Sequence, residues 1–212
     1  ALFSRSCYFI GRFINNNSES SDSLFILGYT KSWSYIIASD AFQNGYESVS
    51  GDSIAKTIAG LENLSEELLP VAYWWAENYT SYLLTKPVLQ RIESREIIET
   101  VIHHILSVNP EYNYHGANRI FGTFYAKLPG INLDQSKNNF DKSISIEPNF
   151  MTSYTLRAQY FSTKAGDEDL FIKDLQLVLN ADPTKLPEAS PENLFEQEKA
   201  KFLLSRKESL FE

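Results

Sequence analysis

Few residues in this chain are equipped for bond-making chemistry. The three histidines stand at positions 103, 104 and 115. His103 and His104 are consecutive, so on a helix their side chains diverge by about 100 degrees and cannot grip one ion as ligands four residues apart do. Glu66-Glu67 and Glu93/Glu96 could in principle share general acid and base work. They fall instead at a helix start and on a solvent face, where carboxylates serve the helix dipole and solubility. The single cysteine, Cys7, excludes internal disulfides and every multi-cysteine metal motif. The sequence contains no phosphate-cradling glycine loop, no dinucleotide fingerprint, no H-E-x-x-H and no G-x-S-x-G. The expectation is therefore a protein that is not an enzyme, uses no cofactor or metal, and works by recognition.

Two stretches could do the recognising. In "YNYHGANRIFGTFYAKLPG", residues 112 to 130, Asn113, His115, Asn118 and Arg119 are threaded between aromatic residues. The Phe/Gly/Tyr series there suits helix packing, which does not require the polar four. In "AYWWAENYTSYLL", residues 72 to 84, Trp74, Trp75, Tyr79 and Tyr82 crowd one helix. Neighbouring tryptophans point to different sides, so at least one ring meets a second helix layer, a cavity or a partner. Core packing is the competing reading for both stretches.

Such residues need a scaffold, and composition bounds it. With 212 residues, 43% hydrophobic and 14% aromatic, the chain can bury a substantial core. The 19 basic against 27 acidic residues leave a net charge of -8, and no basic cluster offers a footprint for nucleic acid. The most apolar stretch, residues 24 to 38, is interrupted by Lys31 and falls short of a membrane span. "ALFSRSCYFI" lacks the features of a signal peptide, and the "FSRS" before Cys7 does not suit a lipoprotein anchor, so Cys7 reads as a helix-face residue.

Apolar residues recur at three and four throughout, which predicts an all-α chain of about ten helices. The first helix should end at the loop "NNNSESSDS". A second should run from an N-cap near Asp22 to the turn signal "QNG" at 43 to 45, and a third should start at a cap on Asp52 or Ser53. Pro70 is early enough for a first turn, and Pro87 closes that block.

A repeat underlies this pattern. "HHILSVNPEYN", "KSISIEPNFM" and "LQLVLNADPTKL" each stop an apolar helix with a proline, at Pro110, Pro148 and Pro183. The spacings of 38 and 35 residues lie close to the tetratricopeptide period of about 34. Ser136, Phe140 and Ser143 supply the small, aromatic and small positions of a second repeat helix, and Phe121, Gly122 and Tyr125 those of a first. Leu156 and Tyr160, then Leu175 and Val178, occupy equivalent places in the next unit. Gly122 should mark a close helix-helix contact, which offsets its cost of about 1 kcal/mol relative to alanine. The expected architecture is a single domain over 1 to 212, a right-handed array of antiparallel TPR-like helix pairs. The pairs are clearest at 65–110, 113–148 and 149–183, with a C-terminal helix over about 190–210.

With that repeat, "LFSRSCYFIGRFI", "YWWAENY", "YHGANRIFGTFYAKLPG" and "DQSKNNFDKSISIEPNF" together resemble the T component of tripartite ATP-independent periplasmic (TRAP) transporter systems. The resemblance implies a periplasmic, lipid-anchored, all-α lipoprotein that forms a homotrimer and binds the transporter's solute-binding component. It also implies a cavity or pore carrying an apolar, amphipathic or lipid-like ligand, and a membrane link only through a lipid anchor that this chain does not contain. On that reading Trp74, Trp75, Tyr79 and Tyr82 line the path, and Asn113, His115, Asn118 and Arg119 form its polar mouth or a partner contact. The alternative is a general TPR scaffold that binds proteins or peptides.

Overall fold

The computed structural model describes residues 1–14 and 18–212 and is all-α, with no strand among the described residues. The chain divides into two compact units, Ala1–Tyr112 and Asn113–Glu212.

In the first unit, α1 (Leu2–Phe9) continues through a π-helical turn, Ile10–Ile14. Then follow α2 (Ser18–Ile37), α3 (Asp40–Ser48), α4 (Ser53–Glu62), α5 (Leu69–Leu83), α6 (Val88–Glu93) and α7 (Arg95–Val108). Pairs α2/α5 and α3/α4 make the broadest contacts, and α1 and α7 close on α5. The helix α5 is buried almost all round, with Ala72, Tyr73, Ala76 and Asn78 wholly inaccessible. That follows from its composition, since a helix apolar on every face must be surrounded by other helices. Pro70 lies in its first turn, where no backbone N–H is missed, and Asp52 caps α4 by accepting from the Ala55 N–H at 2.9 Å.

Two boundaries differ from the sequence expectation. The loop expected over 15–23 is already helical from Ser18; residues 15–17 lie outside the described residues. Asp22 does not cap there. It sits within α2 and accepts from Lys86 Nζ at 2.5 Å and Thr85 Oγ1 at 3.0 Å, fastening α2 to the end of α5. The block expected to run unbroken to "QNG" is interrupted earlier, because Ser39 Oγ accepts the Phe42 N–H at 3.2 Å and starts α3. Gln43, Asn44 and Gly45 are thus inside a helix. Gly45 is there for proximity: a Cβ at that position would stand 2.4 Å from the Ala59 carbonyl oxygen of α4.

The second unit contains α8 (Tyr112–Lys127), α9 (Leu133–Ile146) and α10 (Thr152–Leu156), which runs through a π-helical stretch, Arg157–Ser162, into α11 (Thr163–Ala165). It ends with α12 (Glu168–Asn180), α13 (Ser190–Ser205) and α14 (Lys207–Phe211). Ser136, Phe140 and Ser143 are all wholly buried. Phe140 packs over Gly122, where a Cβ would meet its ring at 2.8 Å, and Ser136 Oγ donates to the Gly122 carbonyl at 2.6 Å. The small-aromatic-small pattern is therefore the α8/α9 contact itself. Leu175 and Val178 join Met151, Tyr154, Phe171 and Leu203 in the apolar centre of the unit.

A buried ion pair fixes its middle. Arg157 donates to Asp174 twice, at 2.8 and 2.7 Å, and also to Asp141. Burial works to lower the Arg157 pKa, but the hydrogen bonds and charge of Asp174, then of Asp141, outweigh it and keep the guanidinium charged.

Candidate functional site

An open cleft of about 470 Å³ lies in the first unit. Two helices build its wall with aromatic pairs at i, i+4: Tyr29 and Trp33 from α2, Trp75 and Tyr79 from α5. Residues four apart share a helix face, so each pair presents two rings to the same side. Because α2 and α5 pack along much of their length, the pairs meet. Ring centroids are 5.3 Å apart for Trp33/Trp75, 5.2 Å for Trp75/Tyr79 and 4.9 Å for Tyr29/Tyr79, all tilted. Trp75 is buried at the back, whereas Tyr29, Trp33 and Tyr79 are half-buried. Burial, then the neighbouring Tyr82 and Tyr79, pushes the Tyr29 hydroxyl above its ordinary pKa.

The remaining wall comes from the junction of α6 and α7, which contributes Glu93, Ser94 and Ile97. Ser94 Oγ and the Tyr79 hydroxyl share a hydrogen bond of 2.7 Å, tying the junction to α5. The cleft thus has a floor of four rings, one aliphatic side chain and one carboxylate at its exposed edge.

Trp75 and Tyr79, expected from sequence, line this cleft; Trp74 and Tyr82 do not. Trp74 points to the other side of α5, where it stands 5.7 Å from Tyr8 and 5.0 Å from Tyr73, with Arg5 5.9 Å from its ring. Its indole N–H bonds the Tyr112 hydroxyl, whose pKa burial pushes up. Tyr82 reaches only the rear of Tyr29, at 5.6 Å, and carries Lys86 4.6 Å over its ring. Sequence reading missed Tyr29, Trp33, Ser94 and Ile97, and placed Glu93 on the solvent face without a role. The i, i+4 spacing in "YTKSW" was a signal for the first two.

The polar four belong to the second unit, and they do not lie on a regular helix turn. Asn113, Tyr114 and His115 have φ of 49°, 56° and 59°, a left-handed conformation within the segment expected to be helical throughout. Arg119 explains how three non-glycine residues hold it. Its guanidinium is buried, donates to the carbonyls of Asn113, at 2.6 Å, and Tyr114, and lies 4.4 Å from the Phe150 ring centre. Ser143 Oγ also reaches the Tyr114 carbonyl at 3.4 Å, and Tyr114 stacks on Phe150 at 4.6 Å. A left-handed turn exposes successive carbonyls on one side, and a buried guanidinium is suited to collect them. Asn118 donates to Asn139 Oδ1 at 3.0 Å, and His115 is buried.

His103 and His104 line a shallow acidic depression with Glu62, Glu96 and Glu99. No group of three or more His, Cys, Asp or Glu among the described residues is placed to hold a metal ion. Among the described residues no helix is long and apolar enough to cross a membrane. Cys7 is buried in α1, and burial raises its thiol pKa.

No curated protein matches the chain. The family model described as TRAP transporter T-component matches residues 15–211, nearly the whole length over which both units are built. An all-α chain with that match belongs to the TRAP transporter T-component family, which makes it a periplasmic-side accessory of such a transporter.

Proposed function

We propose that this protein docks the solute-binding component of its transporter and carries an apolar or amphipathic ligand in the aromatic cleft between α2, α5 and the α6/α7 junction. The cleft's four rings carry this reading. Small-molecule sites are concave, mostly apolar and supplied with a few polar groups, and this cleft has that constitution. Trp75 and Tyr79 form its inner wall, Tyr29 and Trp33 its outer one, and Ser94 its polar contact. Trp74, by its position, stiffens the opposite face of α5, and Tyr82 backs Tyr29. Asn113, His115, Asn118 and Arg119 shape the start of α8 in the second unit, so their part in partner contact is through the surface they hold up. The protein works as a periplasmic homotrimer attached to the membrane by a lipid.

Native mass spectrometry of the wild type, alone and with the co-encoded solute-binding protein, tests both halves. The expected spectrum contains a complex of the two proteins and an extra small mass on this chain. A Tyr29→Ala/Tyr79→Ala variant with unchanged circular dichroism should lose the small mass while keeping the partner. Retention of the ligand by that folded variant would remove the cleft from the assignment.

A further inference from the structure

Within the ligand reading above, on which this inference rests, the cleft's single charged wall residue sets the chemistry of what enters. Glu93 stands in the lining beside four aromatic rings. The cations nearest it in sequence are committed elsewhere. Arg91 donates to the carbonyls of Leu83, at 3.1 Å, and Lys86, at 2.5 Å, and Arg95 pairs with Glu99 at 2.8 Å. Among the described residues Glu93 has no ion-pair partner, and no Lys, Arg or His lines the cleft. Lys86 lies over the outer Tyr82 ring and is held by Asp22, away from the cleft's floor.

Aromatic faces are negative, and a cluster of Trp and Tyr faces attracts a poorly hydrated cation far better than an anion. A carboxylate at the rim adds to that preference. A carboxylate ligand would meet the reverse, a negative edge and only neutral donors: the Ser94 and Tyr79 hydroxyls, which bond one another at 2.7 Å, the Tyr29 hydroxyl and the Trp33 and Trp75 indole N–H groups. The protein's charge of -8 favours approach of cations in the same sense. We propose that the ligand is an amphipathic organic cation, an alkylated ammonium whose head sits among Tyr29, Trp33 and Tyr79 against Glu93 and whose apolar tail follows Trp75 and Ile97.

Three probes with the same eight-carbon alkyl tail separate the possibilities: octyltrimethylammonium, octanol and nonanoate, each titrated calorimetrically below its micelle concentration or solubility limit into the full chain. Octyltrimethylammonium should bind at least ~10-fold more tightly than either of the others, as expected for desolvated cation-aromatic contact together with a counter-charge. Glu93→Gln, a substitution at an exposed position, should weaken it about 2- to 5-fold and leave octanol unchanged. If all three probes bind alike and Glu93→Gln changes nothing, the cationic specificity is wrong while the apolar cleft stands. If none binds, the ligand site falls with it.

Discussion

His104 contributes one traceable part of the pH response of this protein. Burial lowers its pKa below the ordinary 6.5, with the Glu62 and Leu64 backbone pulling the other way. Between the depressed value and 6.5 the unfolded chain binds more protons than the folded one at this position, so the stabilisation is complete above pH 6.5 and is lost as pH falls toward the folded pKa. The urea midpoint should therefore drop between pH 7.5 and 5.5, and the drop should be smaller in His104→Gln. An identical pH slope in the two proteins would show that His104 is as easily protonated folded as unfolded. Arg119 makes a second case. Arg119→Met keeps the length but abandons the carbonyls of Asn113 and Tyr114. It should cost about 2–4 kcal/mol, read as a shifted denaturant midpoint.

At the scale of elements, the α8/α9 contact rests on Gly122. Gly122→Ala would drive a methyl into the Phe140 ring and should destabilise by about 1–3 kcal/mol, measurable by chemical denaturation. That contact was readable in the sequence because it depends on local spacing: a glycine in one helix, and serine, phenylalanine and serine in the next. The proline-ended helices at Val108, Ile146 and Asn180 were readable for the same reason. The left-handed start of α8 was not, since it depends on Phe150 and Ser143, some 30 residues downstream of the turn they stabilise. The cleft was half readable. The α5 rings announce themselves by density, whereas Tyr29 and Trp33 look like an ordinary packing stripe until α2 is laid against α5. Glu93 acquires meaning only when the α6/α7 junction brings it beside those rings.

For the whole molecule, the expected solution state is three copies of the 24.2 kDa chain, about 73 kDa by light scattering at micromolar concentration. A mass near 24 kDa would remove the trimer from the proposal without touching the cleft, whose lining residues all come from one chain. The family assignment gives this protein an accessory role in a transporter that moves solute. On the proposed function, selectivity for the cleft's ligand resides in shape and charge.

The left-handed turn at Asn113–His115 also bears on how the protein is made. Its latch, Arg119 over Phe150, cannot close until Phe150 exists, 38 residues after Tyr112 has been added to the chain. At ordinary ribosomal speed that is a delay of about 2 to 8 seconds, ample for a helical unit to fold. Residues 1–112 therefore have time to settle during translation before the left-handed start of α8 is locked.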